Sequence, residues 1–303
     1  MKSVKRLNRW LIKIFGAFFA FAMLGNLEAQ MLLPEQPIDL EMELLFNASF
    51  IQKHRIQRIE GVFSQKRDNE PIYALPGKLE IEFDDHGQLK SFLRIEKIGS
   101  RFDTTHVVFH SLDGFEAKSE KDGVGYITTM KKESGDTLII RAFRLPSLEG
   151  MVNSILWEND LFWSYEEREI IKQRGDLERR EHLNVIDLPY KTTTISRNAL
   201  GYIQHRESTF KITQRKEKET FSYNEFGRLS KIEKFKKGSS KWAIEFVYED
   251  HHNLSQWDHW KREQRHSHTE VVYDDLGLVE GLVKQYLATG RMHITKYNYT
   301  IFP

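Results

Sequence analysis

Between Tyr223 and Tyr299 the chain repeats itself with a fixed beat. Tyr223-Asn224-Glu225-Phe226-Gly227-Arg228-Leu229 is followed by Tyr248-Glu249-Asp250-His251-His252-Asn253-Leu254 and then by Tyr273-Asp274-Asp275-Leu276-Gly277-Leu278-Val279. The three tyrosines are 25 residues apart, and Tyr297-Asn298 stands 24 further on. A period in this range marks stacked supersecondary units, none of which buries its apolar face alone.

Each position in the unit has a physical task. Trp242, Ile244, Phe246 and Tyr248 alternate, as do Thr269, Val271 and Tyr273, so each tyrosine closes a β-type run. The acidic or amide residues after it can hydrogen-bond their own backbone and start a turn. Gly227 and Gly277 supply the left-handed backbone such a turn needs. Leu229, Leu254 and Val279 then re-enter the sheet. Second turns at Lys237-Gly238-Ser239, Arg262 to Arg265 and Ala288-Thr289-Gly290 split each unit into two strands. Phe83-Asp84-Asp85-His86-Gly87-Gln88-Leu89 repeats the signature upstream, and Phe109 to Gly114 is a weaker copy. Hairpins are therefore expected through most of the chain.

The spacing Tyr-(Asp/Asn)-x-x-Gly-x-(Leu/Val) resembles the YD repeat of Rhs-type proteins. The chain beyond its N-terminal segment resembles a group of secreted Bacteroidota proteins with degenerate YD-like (Rhs-type) β-hairpin repeats. What the resemblance implies is architecture, since YD-repeat proteins wind such hairpins into a long β-spiral shell around a toxin. This chain is too short for such a shell, and its middle copy carries His252 where glycine is expected. The resemblance brings no catalytic residue.

The N-terminus reads as an address. Lys2, Lys5, Arg6, Arg9 and Lys13 precede the apolar run Ile14 to Leu24, and a short stretch ends in Ala29. This is the pattern of a secretory signal peptide over residues 1–29; an uncleaved membrane anchor is the alternative. Cleavage leaves 40 basic against 43 acidic residues out of the 45 and 44 in the whole chain. That balance argues against a nucleic-acid partner, which calls for a basic surplus. With no cysteine, an exported chain must hold its sheet without disulfides, and thiolate metal sites and thiol catalysis are excluded. The mean hydropathy of −0.55 is that of soluble globular proteins, and no later stretch can span a bilayer as a helix. The expected location is the periplasm, the outer-membrane surface or the extracellular space.

Residues 30–55 read as a lead-in and one amphipathic helix from Pro37 to about His54. Asp39 would cap it, and Leu40, Leu44, Leu45, Ala48 and Ile51 would lie near one face. Its expected task is to cover an edge or face of the sheet. Residues 56–144 form a first set of hairpins and 164–303 a second. The interruption at 145–163 is a short helix or a wide loop. Glu166 to Glu181 reads as a solvent-rich hairpin turning at Gly175-Asp176.

Two sets of side chains invite chemistry. His266 and His268 share a strand face at i and i+2, and His259 or Asp258 across the ladder can complete a metal site, zinc or a similar divalent ion. The plain alternative is solvent-facing histidines on a polar face, and no cofactor is then needed. Trp242, Trp257 and Trp260, flanked by Asp258, can stack on a sugar or peptide. The plain alternative is an aromatic ladder that holds the sheet together. No acid/base carboxylate pair, nucleophile elbow or phosphate loop stands out.

The sequence thus predicts a mainly β protein of stacked antiparallel hairpins in one long twisted sheet, with an N-terminal amphipathic helix against it. An unbroken hydrophobic core is not expected. The favoured function is an exported, non-catalytic binding or scaffold protein of the cell envelope, with a glycan, a peptide or an envelope protein as partner. The alternatives are a metal- or carboxylate-dependent hydrolase of envelope material, or a lipophilic carrier if the sheet curls into an open half-barrel.

Overall fold

The structure is a computed structural model and describes residues 31–33, 45–98, 100–109, 114–121, 124–133, 137–145, 162–236, 239–249 and 253–303. The expected signal peptide, the Asp39 cap and most of the interruption at 145–163 lie outside these residues.

Two short strands, β1 (Leu32–Leu33) and β2 (Leu45–Phe46), pair antiparallel and lead into helix α1 (Ala48–Lys53). The wall then begins with β3 (Ile56–Lys66), β4 (Tyr73–Ala74), β5 (Gly77–Phe83), β6 (Leu89–Ile98), β7 (Arg101–Phe109), β8 (Gly114–Lys121), β9 (Val124–Lys132) and β10 (Thr137–Leu145). It continues with β11 (Phe162–Arg174), β12 (Leu177–Leu183), β13 (Pro189–Arg197), β14 (Ile203–Phe210), β15 (Lys216–Tyr223) and β16 (Leu229–Lys236). It ends with β17 (Ser239–Glu249), β18 (Asn253–Lys261), β19 (Gln264–Tyr273), β20 (Val279–Tyr286) and β21 (Arg291–Ile301). Apart from β4, each pairs antiparallel with the next, and β21 returns to β3 from Met292↔Lys66 to Ile301↔Ile56. β4 is a two-residue bridge beside the direct β3–β5 pairing. Among the described residues the wall is a closed barrel of 18 antiparallel strands.

This closure corrects the predicted fold. The 25-residue beat does lay down strand, turn, strand, turn, but the strands do not spread into an open twisted sheet. Nor do they form the Rhs-like YD spiral that the resemblance implied. An open sheet leaves two unpaired edges that invite association; pairing the last strand to the first removes both, and the inherent twist and coil of strands makes that possible.

The turns explain the beat. Asp274 Oδ1 accepts from the backbone N–H of Leu276 (2.9 Å) and Leu278 (2.8 Å), and Asp84 and Asn224 repeat the pattern. Gly277 sits at φ +78° and Gly227 at +77°. The tyrosines have a further role that is invisible in one dimension. Tyr223, Tyr248, Tyr273 and Tyr299 donate their hydroxyls to the carbonyls of Ile203, Leu229, Leu254 and Val279. Each re-entering aliphatic is thus tied to a tyrosine about 20 residues later, all at one end of the barrel. At the seam Tyr299 does this, not the Tyr297 that the spacing singled out.

The N-terminal segment is not laid on an edge. It plugs the lumen at the tyrosine end. Asn47 is the N-cap of α1, its Oδ1 accepting from Ser49 and Phe50 N–H, so the helix is far shorter than predicted and starts after a strand. Phe50 and Ile51 are buried, and Met31 Sδ lies 3.4 Å from Val279 N. One apolar cluster runs from these plug residues onto the lumenal face of the wall through Ile59, Ile81, Phe92, Val107, Ile232, Phe246, Leu254 and Trp257. A continuous core therefore exists, contrary to expectation. It was hidden because it is assembled from one or two residues per strand.

Candidate functional site: the lumenal cavity

Pairing fixes which side chains share the lumen, because directly opposed residues point to the same face. Ile59, Ile81, Phe92 and Val107 form one such lumenal row. The row beside it, Glu60, Glu80, Leu93 and His106, faces outward. Between the plug and the far end of the barrel the lumenal faces of β18–β21, β3, β5 and β6 enclose a cavity of about 390 Å³. Its closed end is apolar: Leu32 and Phe46 from the plug, with Ile59, Leu79, Ile81, Phe92, Trp257 and Val279 from the wall. The other end reaches solvent, where Arg94 and Glu96, 2.6 Å apart, are 42% and 36% exposed.

A polar rung crosses the cavity wall between these ends. Thr269 opposes Lys284, Lys284 opposes His293, and His293 opposes Gln65, on four neighbouring strands. Thr269 is 1% exposed. Thr269 Oγ1 and His293 Nε2 are buried and have no hydrogen-bond partner, whereas Gln65 Nε2 donates to the Tyr73 hydroxyl (2.6 Å). Burial pushes the His293 pKa down, and Arg291, Lys284 and Arg94 push the same way against Glu96. On the tyrosine side of the rung lie Leu282, Thr295 and Phe63, opposed in the same manner.

The opposite half of the lumen, β11 to β16, carries ionic groups beside the apolar side chains of Ile195, Phe221 and Ile232. His182 is in close contact with Glu167 through Nδ1, and its Nε2 lies 3.0 Å from Thr193 Oγ1, which is 3.0 Å from Ser208 Oγ. The Tyr190 hydroxyl donates to the second Glu167 oxygen (2.6 Å). Arg180 bridges Glu169 (2.9 Å) and Glu178 (2.6 Å). An acid, an imidazole and two hydroxyls in line have the connectivity of a nucleophile relay. Here the strand amides on both sides are committed to the ladder, so the relay is read as a lock between strands. The charged stretch Glu166 to Glu181 does turn at Gly175, as predicted, but its alternate residues face the lumen.

The residues singled out in the sequence are divided by the wall. Trp257 (2% exposed) lines the cavity. Trp242, opposite Lys261, and His259, opposite Ile244, are also lumenal. Asp258, Trp260 and His268 face outward. Asp258 Oδ1 accepts from Arg265 Nε (2.7 Å) and lies 2.8 Å from His268 Nδ1, while His268 Nε2 is 3.1 Å from Glu270. His266 is exposed, its ring edge-on to Tyr286. His259 is thus on the other side of the wall from His268. Among the described residues no group of three or more His, Cys, Asp or Glu is placed to hold a metal. Sequence reasoning passed over Thr269, Lys284, His293 and Gln65. Their only signal was a polar residue at a lumenal position of each strand, legible once the register is known.

No family model matches the chain, and the search of curated proteins found no match. Among solved structures, a porin-like protein from Bacteroides uniformis aligns at 11% identity over 81% of this chain and 98% of its own, with a TM-score of 0.37. A porin-like protein from Bacteroides vulgatus aligns at 9% over 79% and 98%, TM-score 0.29. A LolA superfamily protein from Nitrosomonas europaea aligns at 10% over 86% and 95%, TM-score 0.18. Likeness of this degree carries no argument about function, which rests on the geometry alone.

Proposed function

We propose that the protein is an exported, non-catalytic binding protein that takes a lipophilic molecule into the lumen of its barrel. Of the alternatives the sequence left open, this one joins binding with the carrier. The observation that carries it is the cavity of about 390 Å³, closed and apolar at the plug and reaching solvent at the other end. Ligand cavities span roughly 300–1,000 Å³ and are lined mostly by apolar side chains with a few placed polar groups. Burying apolar ligand surface there is worth about 25 cal/mol per Å².

The outer face supports a barrel that works in water rather than within a bilayer. Lys231 in β16 lies 3.1 Å from both Glu233 and Glu245, and Arg141 lies 2.9 Å from Glu166. These pairs sit at mid-strand on the outward face. A lipid-facing Lys or Arg at that level costs about 2–4 kcal/mol. Among the described residues no helix is long and apolar enough to cross a membrane, which says nothing of strands.

The test is extraction. Protein purified from its native host is denatured in organic solvent and the extract analysed by mass spectrometry, while delipidated protein is titrated with a neutral, environment-sensitive apolar dye. A stoichiometric lipid, or saturable dye binding lost in Leu79→Arg, is expected. An empty extract together with no saturable binding would overturn the reading.

A further inference from the structure

The end of the barrel opposite the plug is a surface as well as a mouth. Resting on the lumenal binding reading only for its purpose, we infer that this open rim docks reversibly on an anionic lipid surface. Its apolar turn tips enter the interface, and its basic strand ends meet the lipid phosphates.

Three observations carry this. The first is where the tips stand. Antiparallel alternation sends the connections β3–β5, β6–β7, β12–β13, β14–β15, β18–β19 and β20–β21 to the end away from the tyrosine ties. Five of these six present an exposed apolar side chain at or beside the turn: Ile72, Phe102, Ile186, Ile212 and Leu287. Ile212 is 90% exposed and Ile72 60%, so neither is folded onto the wall. Backbone bonds fix the turns that carry them: Lys211 N–H donates to the Tyr190 carbonyl (2.8 Å) and Leu287 N–H to the His266 carbonyl (3.2 Å). Apolar side chains exposed singly are ordinary, but a set of them at one end, rimmed by charge, marks an interaction site.

The second observation is the sign of that charge. Seven strand termini at the open end are lysine or arginine, Lys66, Lys216, Lys261 and Arg291 among them, and among the described strands none there is acidic. The described connections at this end balance, Arg67, Lys211, Arg215 and Arg262 against Asp68, Glu70, Asp187 and Glu263. The termini therefore decide the sign. At the plug end Leu200 and Leu276 are exposed tips too, but the company differs. The described connections there carry seven acidic groups, Asp84, Asp85, Asp274 and Asp275 among them, against Arg55 and Arg228. The strand termini add Lys132, Arg174 and Arg197 against Glu249. Apolar insertion together with electrostatic attraction holds a protein on an anionic membrane, and only the open end offers both.

The third observation is continuity with the cavity. Leu75, Pro76, Lys97 and Tyr286, at the same end, line it. The Asp68 carboxylate lies against Gly290, so the loop of Ile72 and the turn of Leu287 adjoin beside the mouth. A lipophilic molecule that crosses this rim from a bilayer reaches the lumen without exposing its apolar surface to water.

The experiment is vesicle sedimentation with purified full-length protein, on phosphatidylcholine alone and on phosphatidylcholine with an equal part of phosphatidylglycerol. Binding to the mixed vesicles is expected to be at least about tenfold tighter, because each Lys or Arg near an anionic surface adds several-fold. It should weaken with salt, which screens that attraction. The pair Ile72→Asp and Ile212→Asp is expected to lose vesicle binding. The pair Lys216→Glu and Lys261→Glu is expected to lose the preference for anionic lipid. Both pairs lie in exposed positions and should keep the wild-type unfolding midpoint, which shows that they are folded. Leu200→Asp with Leu276→Asp alters the plug end and should bind vesicles as the wild type does. The inference is overturned by binding to neither vesicle, the result expected of a rim that meets a protein instead. It is equally overturned by vesicle binding that survives the Ile72 and Ile212 exchange, by an anionic preference that survives the lysine exchange, or by equal loss in the plug-end pair. Dye binding in the lumen is read separately, so the lumenal reading stands or falls on its own.

Discussion

At the scale of single residues the lumen is held by groups whose charge state matters. Burial alone pushes the Glu167 carboxyl up, but hydrogen bonds from His182 and Tyr190 outweigh it and hold the group below its ordinary 4.5. Glu178 is held down in the same way by Arg180 and Arg197. A carboxyl whose folded pKa is depressed contributes stability above its unfolded pKa and loses it as pH falls through the folded value. Stability should therefore decline from about pH 4.5 downward, and Glu167→Gln should make that decline shallower while lowering stability at neutral pH. Denaturant melts across the acid range, wild type against variant, check this; parallel curves would count against it. His182→Ala leaves Glu167 and Thr193 without their shared partner. Glu167 keeps Tyr190 and Thr193 keeps Ser208, so the loss is that of two hydrogen bonds at about 1 kcal/mol each, read as a shift in the unfolding midpoint at unchanged slope. None of this was legible in the sequence. Glu167 looked like a member of a solvated charge run and His182, just past its end, drew no reading, because their alternation with Glu166, Arg168 and Glu181 separates two faces that only the closed wall distinguishes.

At the scale of elements the turns were the readable part. Asp84, Asn224 and Asp274 were found because glycine follows three residues later, and all three make the same turn. The turn at Asn184 to Leu188 was missed. Asn184 Oδ1 accepts from Ile186 and Leu188 N–H as in the others, but Asp187 (φ +56°) stands where glycine would. Two of the turn glycines separate conformation from contact. Gly87 (φ +75°) backs onto the plug helix, and a Cβ there would come within 2.1 Å of the Ala48 carbonyl oxygen. Gly201 (φ +87°) has nothing within 4 Å. Gly201→Ala should therefore cost only the left-handed strain, about 1 kcal/mol, whereas Gly87→Ala must also displace α1 and should cost clearly more. Thermal melts of the pair decide this, and equal losses would mean that the plug does not bear on the turn. The tyrosine ties belong at this scale too. Tyr273→Phe keeps the ring and removes one donor to the Leu254 carbonyl, a net loss of about 1 kcal/mol.

At the scale of the whole molecule the sequence revealed the beat and concealed the closure. Whether a row of hairpins stays open or meets itself depends on stagger and tilt accumulated over all the strands, and no local pattern encodes that sum. The same limit hid which face is inside, since both faces carry charge. Closure nonetheless sorts the charges in a way that can be tested. The outward ladder from Lys231 through Glu245 and Asp258 to His268 lies at the middle of four consecutive strands. A lipid-facing barrel needs an apolar outer band ~25 Å tall, and strands of this length cannot supply one above or below such a row, at ~3.3 Å per residue. On the inner face of the same strands stand Ile232, Ile244, Phe246 and Trp257 of the apolar cluster. The intact protein should accordingly stay in the aqueous phase when a detergent solution is brought to its cloud point, and should remain monodisperse by size exclusion with no detergent present. Partition into the detergent phase would mean that the outward ladder meets lipid after all, and the water-borne binder would have to be given up in favour of a barrel seated in the membrane.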